Sequence, residues 1–164
     1  MNQELKYFLF IIITFGIGSV LVQGIAVPYI EIAGGWKPDL VLIIVLLIGK
    51  RFGSVAGSTS GFILGLIQDS LTAMPIGITA LPKVMAGYAS GKMTTLKFEG
   101  SVNFLWFIAF IFLHEFIFYF ILQFKTDLTF TYLIYSRIFP NTIYSTVMMG
   151  ITYFLTQKYF AEIQ

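Results

Sequence analysis

The sequence predicts an all-α, polytopic transmembrane helical bundle of about six helices, with five as the alternative count. Three observations carry this. First, 57% of the 164 residues are hydrophobic and only 11% are charged, whereas a soluble domain carries about a quarter charged residues. Little of the chain can form a water-facing surface, so lipid must cover most of it. Second, apolar residues fall into six stretches, near 5–27, 38–50, 53–72, 75–91, 101–124 and 136–157. A helix needs about 20 such residues to cross the hydrocarbon core. Third, the alternation expected of barrel strands is missing, and backbone groups in lipid must be satisfied internally, which leaves the helix. The length admits one transmembrane domain over residues 1–164, with short loops and no soluble domain.

The first stretch, Leu5 to Val27, is long for a signal-peptide core and lacks a small-x-small cleavage site, so it reads as a retained anchor. The second is short for a crossing. Pro38 suits its first turn, Asp39 favours the helix N-terminus, and Lys50-Arg51 ends it. It reads as a thin or tilted span or a re-entrant segment. The third and fourth stretches are rich in glycine. The fifth is a clear span crowded with aromatics from Phe104 to Phe120, read as a lipid-facing surface. The sixth is kinked or started by Pro140, and Asp127 is placed to cap a short interfacial helix before it.

Six spans with a cytoplasmic N-terminus put Lys6, Lys50, Arg51, Lys92, Lys97 and Lys158 inside. Lys37, Lys125 and Arg137 fall outside. This bias satisfies the positive-inside rule, so both termini are expected in the cytoplasm.

Several function classes are disfavoured. A net charge of +2 is too small to point to nucleic acid. The absence of cysteine excludes disulfides and thiolate metal sites. Neither Walker nor Rossmann glycine spacing occurs, and no Ser-His-Asp arrangement is visible. His114 is the sole histidine, which excludes a His-rich metal site. His114-Glu115 lacks the second histidine of a zinc-protease motif, because Phe118 stands four residues on. Neighbours on a helix also point about 100° apart, which argues against a simple pair. No catalytic residue, cofactor or metal is expected, and the chain does not read as an enzyme.

The most regular pattern is Gly53, Gly57, Gly61 and Gly65, with Asp69 continuing the row. Residues four apart share a helix face, and a row of glycines there lets another backbone approach closely. The simpler reading is packing within the chain; the sharper one is a groove for a partner's helix or a second copy. Lys83, Gly87 and Gly91 form a related row. Lys83 sits near the middle of the fourth stretch. A lysine at the midplane costs about 2.5–3.5 kcal/mol on insertion scales, so it is expected to face inward toward Asp69, Asp39 or Glu115.

The middle of the chain resembles the rod-shape-determining MreD family. The matching segments are Trp36-Lys37-Pro38-Asp39-Leu40, Gly61-Phe62 through Gly65-Leu66 to Asp69, Pro75-Ile76-Gly77-Ile78 through Ala80-Leu81, and Gly87-Tyr88 with Gly91. Ile76-Gly77 stands where the family commonly has Leu-Gly, and Lys83 falls where it is often apolar or small. The resemblance implies a non-enzymatic scaffold of the elongasome in the bacterial inner membrane, serving cell shape and peptidoglycan synthesis. It implies binding to an MreC-like single-span membrane protein. Through that partner the chain would connect MreB filaments to RodA and its transpeptidase. The family is similar in fold to the substrate-binding S components of vitamin transporters. That similarity implies an S-component-like bundle and a second function, holding a small solute near Lys83, Asp69 and Glu115.

Overall fold

A computed structural model describes residues 6, 9–32, 35–96, 101–126 and 128–161. Among these residues the chain is helical, with one isolated bridge between Ile32 and Trp36 and no strand. Each of the six apolar stretches contains one main helix. These are α1 (Leu9–Ile25), α2 (Leu40–Phe52), α3 (Ser54–Leu71), α4 (Ala80–Leu96), α5 (Ser101–Leu122) and α6 (Phe139–Ala161). Among the described residues Phe104–Lys125 is long and apolar enough to cross a membrane by itself, and α1 is a shorter apolar helix.

Helix α2 is the axis of the bundle. Val41, Leu42, Ile43, Val45, Leu46, Leu47, Ile48 and Gly49 are all buried, so nearly every face is covered. Val41 and Val45 meet Val20 of α1 and Leu64 of α3. Leu42, Ile43, Leu46 and Leu47 meet Ala86 of α4, Phe107 and Ile111 of α5 and Met149 of α6. The all-round apolar sequence of α2 follows from this position, since a helix with no polar face must be surrounded. Asp39 caps it by accepting from the Leu42 amide at 2.8 Å. Lys50 and Arg51 occupy its last turn, where cations suit the carbonyl end.

Gly53 meets α4 through its backbone: its carbonyl carbon lies 2.4 Å from where a Cβ on Gly91 would stand. Its φ of +90° lets α2 turn directly into α3, and a Cβ there would meet nothing within 4 Å. Gly53 is thus a joint as well as a close neighbour of Gly91 across the α3–α4 contact. Gly57, Gly61 and Gly65 lie against α4. A Cβ on Gly57 would fall 2.3 Å from the Gly87 carbonyl oxygen, one on Gly61 2.5 Å from that of Lys83, and one on Gly65 2.4 Å from the Ala80 Cα. From the other side, Gly91 faces Ser54. Gly49, which the sequence reading did not single out, lies against the Gly87 carbonyl oxygen.

Helix α4 begins at Ala80, so Lys83 occupies its first turn instead of the middle of a span. The apolar residues before it form a loop tied down by Asp69. The Asp69 carboxylate accepts from the Gly77 amide at 2.7 Å and the Thr79 amide at 3.2 Å. Gly77 adopts a φ of +98° to make this turn. Thr79 adds a bond from its hydroxyl to the Gly65 carbonyl at 3.1 Å. Asp69 is fully buried. Asp69→Asn keeps the size but replaces one acceptor with a donor facing an N–H. It is expected to cost about 1.5–3 kcal/mol, the range for a hydrogen bond to a charged group, read as a lowered thermal midpoint in detergent.

Helix α6 is entered through a helical turn at Phe130–Leu133 and a π-helical turn at Ile134–Ile138. Pro140 has no N–H to give the carbonyl four residues earlier. That carbonyl, on Ser136, accepts instead from the Trp36 indole at 3.0 Å. Pro140 thus lies within a continuous helical path whose irregular turn precedes it. The proposed cap Asp127 lies outside the described residues. On α5 the reading of the aromatics as lipid-facing is corrected in part, because Phe107, Phe110 and Tyr119 are buried. Trp106, Phe112, Phe116 and Phe120 do face outward.

Candidate functional site: a polar cavity at the helix ends

Five helix ends and the C-terminal half of α5 converge on one cavity of about 160 Å³. Gln23 comes from the C-terminal part of α1, Asp39 from the cap of α2, Gln68 from the end of α3 and Lys83 from the start of α4. His114, Glu115 and Tyr119 come from α5, and Asn141 from the start of α6. Alternating helix direction explains the convergence, since consecutive antiparallel helices bring opposite termini to the same end.

The polar groups are deeply buried. Lys83 is 0% exposed, His114 2% and Glu115 4%. An isolated buried charge is expensive, so each is expected to have partners. Of the three acids open to Lys83, the structure selects Asp39: Nζ lies 2.6 Å from Oδ2. Lys83 Nζ also lies 3.4 Å from His114 Nε2, which itself is 3.7 Å from Asp39 Oδ2. Asp69 is occupied by the loop it holds and does not meet Lys83.

Backbone entering α2 is fixed by side chains from both flanks. Gln23 donates to the Pro38 carbonyl at 3.0 Å and accepts from the Leu40 amide at 2.8 Å. Asn141 accepts from the Lys37 amide at 3.1 Å, and the Ser145 hydroxyl accepts from the Asp39 amide at 3.0 Å. These bonds place the Asp39 carboxylate in front of Lys83. Asn141 also donates to Glu115 Oε2 at 3.3 Å and to the Tyr119 hydroxyl at 3.0 Å.

Although neighbours on a helix point about 100° apart, His114 and Glu115 do meet, against the expectation from spacing. His114 Nδ1 lies 3.4 Å from Glu115 Oε1, because both side chains bend into the cavity. One ligand-type atom from each of Asp39, His114 and Glu115 lies within 4.8 Å of the other two. Among the described residues, His114 Nδ1 and Gln68 Oε1 are buried without a hydrogen-bond partner. Asp39, Lys83 and Glu115 stand out in the sequence as polar residues in apolar stretches, but only the fold assembles them with Gln23, Gln68, His114 and Asn141. The available signal was simply a polar residue within an apolar stretch.

No curated protein and no solved structure matches the chain. The model of a family described as rod shape-determining protein MreD matches residues 2–163, nearly its whole length. This extends well beyond the segments 36–91 that carry the resemblance in the sequence, and the chain belongs to that family.

Proposed function

We propose that this chain is a non-enzymatic scaffold subunit of the bacterial cell-wall elongation machinery. In this reading it crosses the cytoplasmic membrane six times with both termini in the cytoplasm. It binds an MreC-like single-span protein, and through it couples MreB filaments to RodA and its transpeptidase. The family match over residues 2–163 carries the reading. The distribution of side chains supports the membrane setting. Outward positions such as Phe15, Ile25, Val55, Leu105, Ile143 and Phe154 are apolar, whereas Lys83, His114 and Glu115 point inward.

The glycines lend themselves to packing within the bundle. Gly57, Gly61, Gly65, Gly87 and Gly91 already face the chain's own helices, so an MreC-like partner would use an outward face, as would a second copy in a homo-oligomer. Purification in mild detergent is expected to recover a single-span protein with a periplasmic coiled coil. A reporter fused after Gln164 is expected to work only in the cytoplasm. Absence of such a partner from a cross-linked membrane fraction, or a reporter active only outside, would count against the proposal.

The cavity favours one second reading, a substrate-binding membrane subunit of a small-molecule, vitamin-type transporter. Copurification of an organic solute together with ATPase subunits would favour it over the scaffold.

A further inference from the structure

We propose that the cavity is a binding site for a first-row divalent transition-metal ion, held by His114 Nδ1 and Glu115, with Asp39 as the outer carboxylate behind the imidazole. This is independent of the scaffold reading and requires no partner protein. The first support is charge. Lys83 neutralises Asp39 at 2.6 Å. Glu115 is a second buried carboxylate, and its hydrogen-bond partner is the neutral amide of Asn141. Among the described residues no lysine or arginine is paired with Glu115, so a cation entering the cavity would meet its oxygens directly.

The second support is geometry. Two ligands each about 2.1 Å from a metal, at 90° to 109° to one another, lie about 3.0–3.4 Å apart. His114 Nδ1 and Glu115 Oε1 are 3.4 Å apart. Nδ1 is buried and lacks a hydrogen-bond partner among the described residues, as does the Gln68 carbonyl oxygen that lines the same cavity. A nitrogen donor beside carboxylate oxygens suits zinc, cobalt, nickel or manganese better than magnesium or calcium.

The proton balance closes within the ring. In the metal-free arrangement Nε2 accepts from Lys83 and Nδ1 carries the imidazole proton. On binding, Nδ1 offers its lone pair and the single ring proton resides on Nε2. Nε2 then faces Asp39 Oδ2, 3.7 Å away. This is the carboxylate–histidine–metal relation that orients ligating histidines. Lys83 keeps its bond to the same carboxylate.

The test uses the full chain in detergent, carrying no histidine tag and stripped with a chelator. Titration with Co²⁺ and with Cu²⁺ is expected to give one equivalent per chain. Because His114 is the sole histidine, the Cu²⁺ resonance spectrum is expected to show a single imidazole. Glu115→Gln is expected to weaken binding at least about tenfold, the lower bound seen when even a supporting group of a metal site is lost. Gly18→Ala, on α1 outside the cavity lining and with nothing within 4 Å of the added Cβ, is expected to bind like the parent. Should Glu115→Gln fail to fold, the imidazole signature and the metal-dependent rise in thermal midpoint of the parent chain decide the matter. Absence of stoichiometric binding by the parent chain overturns the proposal. So does binding without an imidazole signature, or binding that survives unchanged in folded Glu115→Gln.

Discussion

Gly61→Leu is expected to leave almost no folded protein, and Gly57→Ala to fold only weakly. At both positions the obstacle is backbone: the Lys83 carbonyl oxygen stands 2.5 Å from a Cβ on Gly61, and that of Gly87 stands 2.3 Å from one on Gly57. A flexible side chain can swing away from such a contact, but a helix backbone moves only if the whole α3–α4 pair separates. Overpacking a core usually costs about 1–3 kcal/mol and occasionally more. A forced separation of two helices belongs at or above the top of that range, a large share of a marginal total stability. Gly18 and Gly24 of α1 serve as the control, because a Cβ there meets nothing within 4 Å. Alanine at either is expected to be neutral or to gain up to about 1 kcal/mol from helix propensity. Elution profile and thermal midpoint in detergent report all four variants. If Gly61→Leu stays folded yet loses a partner, the row is a docking groove and the packing described above is wrong.

The helices were legible because a long apolar run has few other structures open to it once strand alternation is absent. Their ends were less so. Residues 75–79 are as apolar as the helix that follows, and composition does not distinguish them. What takes them out of the helix is a glycine at φ +98° and two amides donated to Asp69 eight and ten residues earlier. The move of Lys83 from mid-helix to a first turn follows from that one loop. Gly53 has a second role that spacing does not show: its backbone packs against Gly91, and its positive φ also makes the joint into α3. The cavity was the least legible feature. Its polar residues are scattered from Gln23 to Asn141, and only the convergence of all six helices brings them together. Deciding that Asp39, and neither Asp69 nor Glu115, faces Lys83 required the bonds from Gln23, Asn141 and Ser145 that fix the backbone before α2.

Lys83→Met, studied with a chelator present, is expected to destabilise the chain by about 3–5 kcal/mol, the cost of removing one partner from a buried ion pair. The substitution keeps the length and apolar stem of the side chain, so the cavity it leaves is small and the effect is electrostatic. It strands the Asp39 carboxylate without the ammonium that faces it at 2.6 Å. Asp39→Asn alone strands the ammonium in the opposite sense. It preserves the cap on α2, because asparagine accepts from the Leu42 amide as well as aspartate does. The double variant carries neither charge of the pair. It is expected to recover more than half of the loss, since replacing a whole buried pair is often nearly neutral. A thermal double-mutant cycle reads the coupling directly. If the two single losses simply add in the double variant, Lys83 and Asp39 act independently, and the 2.6 Å contact between them contributes nothing to holding the start of α4 against the start of α2.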